Sequence, residues 1–197
     1  MKTKLKFITA AAAMTILGLT GITPDTALAA DYVIDSKGAH ASINFRIKHL
    51  GYSWLTGRFD KFSGNFSFDE NAPADSKVKV TIDTASVNTN HAERDKHIRS
   101  GDFLEVTKFP KASFESTSMK VTGKSAVMNG NLTLHGVTRN IAINVDYIGG
   151  GKDPWGGFRQ GFSGTAKITL ADYGINYNLG PDAKELELTL HVEGIRQ

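Results

Sequence analysis

Residues 30–197 predict an all-β domain, a barrel or sandwich of eight or nine antiparallel strands. Three observations carry this. Apolar and polar residues alternate with period two along most of the chain, the signature of half-buried strands. Turn residues punctuate the runs at regular spacing. The one stretch that breaks the alternation, around 88–108, is a polar insertion with helix-start signals rather than a second domain.

The first 29 residues read as a secretory signal. Lys2, Lys4 and Lys6 form a basic start, Phe7 to Leu19 is a short apolar run, and Ala27-Leu28-Ala29 is a small-residue cleavage site. The expectation is an exported protein cut after Ala29 and residing in a bacterial periplasm. Cleavage leaves 30–197, a length that suits one domain with a substantial core. It removes three Lys and one Asp, so the formal charge of +3 falls to +1. A near-neutral surface does not suit a nucleic-acid binder. No later run is long enough to span a bilayer, so no stable membrane anchor is expected. There is no cysteine, hence no disulfide framework, thiol nucleophile or thiol-linked lipid.

Taken in order, Ile43, Phe45 and Ile47 share one face. Phe62, Phe66 and Phe68 share another, and Phe59 is out of phase with them, which places a bulge near Asp60-Lys61. Asn71 to Asp75 is a turn. Val78, Val80 and Ile82 alternate, as do Met128, Leu132 and Leu134. His135-Gly136 reads as a hairpin turn before Ile141, Ile143, Val145 and Tyr147. Gly149 to Gly157 reads as a long loop. Phe162, Ala166, Ile168 and Leu170, then Leu186, Leu188, Leu190 and Val192, complete the pattern.

In the insertion, Asn90 with Glu93 suggests a helix start, and Asp95 and Arg99 stand four apart with the acid first. Asp102 with Glu105 suggests a second start before Pro110. The prediction is one or two short helices over about 90–108. Its basic groups, His91, Arg94, Lys96, His97 and Arg99, suit an anionic or polar head group. They equally suit a solvated cap, since exposed charges on helices contribute little.

Other chemistry fits less well. His91, Glu93, Asp95 and His97 do not share one helical face, so no metal site is expected. Gly161 to Thr165 misses the G-x-S-x-G pattern at its last position, and the 149–157 glycines lack a P-loop ending. Trp54 and Trp155 read as lying in glycine-flanked turns, where an aromatic plugs a barrel mouth, packs on a neighbouring strand or gates a ligand. All phenylalanines except Phe7 fall in 30–197. Inward aromatic faces suit a filled barrel or a lined cavity alike.

Ser86-Val87, Thr89, Arg94-Asp95, His97, Arg99-Ser100, Asp102-Phe103 and Phe109-Pro110 together resemble the central motif of the YceI-like family. His49-Leu50-Gly51, Gly57-Arg58-Phe59, Leu132 to Thr138 and Asp153-Pro154-Trp155-Gly156 agree, so the resemblance spans residues 31–197 and is nearest the periplasmic enterobacterial type. It implies an extended eight-stranded antiparallel lipocalin-like barrel around an elongated apolar cavity. It also implies an isoprenoid lipid as partner, a polyprenyl phosphate or isoprenoid quinone, with fatty amides in some members.

The leading expectation is therefore a carrier rather than an enzyme, with no resident cofactor and with monomer and homodimer both open. Phe45, Phe66, Phe114 and Phe103 would line the cavity, Trp54 would stand at its mouth, and Arg94, His97 and Arg99 would meet the head group. Two alternatives stand beside it. One is a lipid-phosphate-processing enzyme using Asp95 and His97 as an acid–base pair; the other is a stress-related protein with a filled barrel.

Overall fold

The computed structural model describes residues 29–180 and 182–197. The expected signal, apart from Ala29, lies outside the described residues. Eleven strand segments follow: β1 (Ala30–Ile34), β2 (Ser42–His49), β3 (Ser53–Phe59), β4 (Phe62–Phe68), β5 (Lys77–Asp83), β6 (Val87–Asn88), β7 (Lys111–Thr122), β8 (Ser125–Leu134), β9 (Val137–Lys152), β10 (Phe158–Thr169) and β11 (Glu185–Arg196). One α-helix, α1 (Ala92–Arg99), links β6 to β7.

These segments form a closed antiparallel barrel of eight staves. β1 and β2 both pair with β11, Ile34 opposite Gly194 and Ser42 opposite His191, so they are one stave interrupted by residues 35–41. β4 pairs with β1 and β3 with β2, making a second stave broken at Asp60-Lys61. β5 and β6 follow the same two partners and make the third. β7 to β11 supply the other five, and the pairing of β11 with β1 and β2 closes the ring. Closure removes the exposed sheet edges that an open sheet would leave.

The phase slip between Phe59 and Phe62 is absorbed at the break. There the Asp60 N–H donates to Ser86 O and the Asp83 N–H to Lys61 O, so both rings still face inward. His135 and Gly136 form the predicted hairpin turn, both with positive φ (51° and 73°). The long loop expected at 149–157 is shorter. Gly149, Gly150 and Gly151 belong to β9 and pair with Gly161, Gln160 and Arg159, leaving only the turn at 153–157. A side chain at Gly150 would collide with the buried amide of Gln160, so the strand requires glycine there.

The insertion holds one helix, not two. Asn90 adopts φ +60°, and its N–H is taken by Asn88 Oδ1, so the cap moves one residue on: His91 Nδ1 accepts from the Arg94 N–H at 3.3 Å. After Ser100 the chain runs as consecutive turns, with Glu105 at φ +44° interrupting the second helix. Asp95 and Arg99 do not pair with each other, because each has a closer partner in the preceding turn.

Three phenylalanines are laid flat along the wall. Phe45 lies over Gly57 of the adjacent strand, Phe114 over Gly130, and Phe66 over Gly194. A ring folded onto a glycine covers the gap in the pleat instead of crossing the middle of the barrel. This packing keeps the centre clear.

Candidate functional site

The barrel encloses an elongated cavity of about 740 Å³. That lies within the range of small-molecule binding sites. Its walls are overwhelmingly apolar: Ile82, Phe114, Met128, Leu132, Ile143 and Leu188 come from five different strands. The near end is bounded by α1, the 100–109 turns and the segment following β10. The far end is bounded by the β4–β5 connection and the β7–β8 hairpin.

At the near mouth, α1 presents Arg94, His97 and Ile98 to the cavity. Positions i, i+3 and i+4 share one helical face, which is why these three line it together. The Arg94 guanidinium donates from Nε to Thr89 Oγ1 and from Nη2 to Thr89 O, each at 2.7 Å. His97 Nε2 pairs with Asp102 Oδ2 at 2.8 Å. The His97 ring meets Phe103 and Tyr177 edge-on, at centroid distances of 5.0 and 5.1 Å, and those two rings stand 4.8 Å apart. A cation, an imidazole and two aromatic rings therefore ring an otherwise greasy opening.

Phe45, Phe66, Phe114, Phe103, Arg94 and His97 all line the cavity. Trp54 and Arg99 do not. Trp54 lies in β3, not in a turn, and strand alternation turns it outward, where the Arg46 guanidinium covers its ring at 4.2 Å. Arg99 sits one position past the cavity-facing stripe. Its Nε donates to Ala85 O and its Nη2 to Val87 O, both at 2.7 Å, which ties the helix to the preceding turn. Trp155 is 78% exposed in the 153–157 turn, away from the cavity.

The acid–base pair imagined for Asp95 and His97 does not form. Asp95 is buried and accepts from Thr89, while His97 turns to Asp102. Tyr177 joins this mouth from the segment after β10, far from the polar motif. Nothing in its spacing tied it to His97 and Phe103, which are more than seventy residues away.

A second polar cluster lies on the outer wall. Arg159 Nη1 donates to Asp35 (2.8 Å) and Glu193 (2.5 Å), and its Nε to Asp153 (2.9 Å). This guanidinium holds the Asp35 carboxyl down to about 2, with help from His40, and lowers Asp153 as well. Among the described residues, Asp35, His40 and Glu193 are the one group close enough to share an ion. Arg159 already supplies the positive charge there, which leaves little call for a metal.

The YceI-like domain family model matches residues 32–194. The chain belongs to the YceI-like domain family. A UPF0312 protein of Pseudomonas aeruginosa is 61% identical over 181 residues, covering 92% of this chain and 95% of that one. The crystal structure of Burkholderia cenocepacia BcnA is similar with a TM-score of 0.73 at 22% identity, covering 81% of this chain and 98% of that chain. A polyisoprenoid binding domain from Saccharophagus degradans, implicated in plant cell wall breakdown, is similar with a TM-score of 0.62 at 19% identity, covering 86% and 99%. At those identities the two structures show a shared fold. Within this YceI-like barrel, no described helix is long and apolar enough to cross a membrane.

Proposed function

We propose that the protein is a periplasmic carrier that holds one long-chain isoprenoid lipid, a polyprenyl phosphate or an isoprenoid quinone, inside the barrel. The observation that carries this is the continuous apolar cavity of about 740 Å³ along the barrel interior. A soluble protein keeps such a volume clear only at a cost. The missing contacts across the lumen are recovered when a hydrocarbon chain fills it, at about 0.8 kcal/mol for each methylene removed from water. The shape suits a tail rather than a compact molecule.

The near mouth suits the other end of such a lipid. Arg94 offers a fixed cation for a phosphate, and charge-assisted hydrogen bonds are the strong ones. The Phe103 and Tyr177 rings offer a stacking surface for a quinone. The polyisoprenoid binding domain of the same fold supports the same class of cargo. The signal-like start of the sequence supports export and an aqueous compartment between membranes, where an insoluble chain needs cover. Binding, not turnover, is the proposed activity, since Asp95 is committed to holding the helix.

The test is native mass spectrometry of protein exported by a bacterium and purified without detergent. The expected result is an adduct whose extracted mass is that of an isoprenoid lipid. An adduct-free spectrum, with no uptake of added prenyl phosphate or quinone, overturns the reading.

A further inference from the structure

The far end of the cavity has its own rim. It is lined there by Glu70, Gly123, Lys124 and Ser125, all of them exposed. The sealing of this end is lopsided. On one side the Tyr32 ring stacks on Phe66 (4.9 Å, 7°), and Phe162 meets Phe66 and Phe68 edge-on, with Gln160 buried beside them. Tyr147 of β9 joins this packing, stacking on Phe68 at 5.8 Å and meeting Phe162 at 5.5 Å, so the ringless arc is the one from β5 to β8, closed by the short turn at Pro73–Asp75 and the hairpin joining β7 to β8. At that hairpin Gly123 has φ +62°, and nothing lies within 4 Å of where its side chain would be.

We propose that the tube is open at both ends, and that chains longer than the barrel thread through it with the tail emerging at the Gly123–Ser125 rim. This rests on the carrier reading above and names its ligand class more narrowly: isoprenoid chains with no upper limit of length. The twelve residues of β7, tilted as barrel strands are, span about 30 Å. A blind pocket of that depth would reject any longer chain.

The two rims differ in charge, which sets the direction of threading. Arg94 stands at the near mouth. At the far rim Glu70 accepts from Gln160 Nε2 (3.1 Å) and from the Tyr147 hydroxyl (3.4 Å), so its carboxylate is fixed beside the opening. A fixed carboxylate disfavours a phosphate there. Lys124, across the same rim, is exposed and lies on a flexible stem whose methylenes extend the apolar wall.

The chain has no cysteine, so Lys124→Cys gives a single thiol at the far rim, which is labelled with a polarity-sensitive fluorophore. Farnesyl, geranylgeranyl and undecaprenyl phosphates are titrated in turn, with native mass spectrometry confirming occupancy. The expected result is a blue shift with undecaprenyl phosphate alone, bound at least as tightly as geranylgeranyl phosphate. In a second variant, Ala126→Trp, a ring added to the far lining weakens undecaprenyl phosphate by about tenfold and leaves farnesyl phosphate within about twofold. The proposal is overturned if undecaprenyl phosphate binds about tenfold more weakly than the shorter chains. It is also overturned if undecaprenyl phosphate binds without a shift, if farnesyl phosphate shifts the label equally, or if Ala126→Trp weakens all three alike. Binding of none of them overturns the carrier reading itself, and this inference with it.

Discussion

Asp95, the buried residue of α1, accepts hydrogen bonds from both the backbone N–H and the hydroxyl of Thr89, at 2.8 and 2.5 Å. Arg94 grips the same Thr89 from its other side. One threonine thus anchors the helix that carries the near mouth. Removing Asp95 strands two buried donors. Asp95→Ala is expected to lower stability by about 1–3 kcal/mol, measured by urea unfolding. Thr89→Val is expected to cost less, because it removes one donor along with the hydroxyl's desolvation.

Arg94 and Arg99 separate ligand recognition from scaffolding. Arg94→Gln is expected to weaken a prenyl phosphate by about tenfold while changing a neutral prenol little, because only the phosphate uses the charge. Arg99→Gln frees the Ala85 and Val87 carbonyls and is expected to lower the unfolding midpoint without altering the preference between the two ligands. Competition against an apolar fluorescent probe measures both.

Filling the lumen tests whether volume governs uptake. Leu188 is half-buried and faces the cavity from the first half of β11. Leu188→Trp occupies space that is otherwise clear, so the far-ultraviolet circular dichroism is expected to remain that of the parent barrel. Probe uptake is expected to disappear. Retained uptake would show that the probe binds elsewhere.

The Arg159 cluster gives the protein an acid-sensitive seam. The Asp35 carboxyl titrates at about 2 in the folded protein against a usual 3.8, because Arg159 and then His40 bond its charged form. A depressed folded value stabilises above the unfolded one and is lost as the pH falls through the folded one. Asp35 therefore contributes fully above about pH 4, and its contribution fades between there and about pH 2. Its size is on the order of 1–2 kcal/mol. Asp35→Asn is expected to flatten the stability curve over that acid window, read from urea midpoints at stepped pH.

Much of the barrel was legible because period-two alternation survives over most of the long strands, slipping phase in β7 at the bulge between Ser116 and Ser118. Ile43, Phe45 and Ile47 announced their shared face directly, and so did Leu186 to Val192. The glycine run escaped the same logic: Gly149 to Gly151 looks like a loop by composition, and only the buried Gln160 opposite explains it as strand. At the near mouth Arg94, His97 and Phe103 were recoverable from the polar motif. Arg99 was misplaced because the motif groups it with Arg94 and His97, whereas helical phase turns it off the cavity-facing stripe and toward the Ala85 and Val87 carbonyls. Trp54 was misplaced because the flanking Gly51 and Gly57 suggested a turn, whereas 53–59 is strand and its alternation turns the ring outward. The far rim left no sequence signal, since Glu70, Tyr147 and Gln160 come from three separated segments.

The rings of Phe45, Phe66 and Phe114 rest on Gly57, Gly194 and Gly130, none of which borders the cavity. Exchanging any of these glycines for alanine would push its ring toward the axis. The gauge of the passage is thus governed by residues the cargo never meets, and a relative can admit thicker or thinner chains without altering a single residue in contact with them.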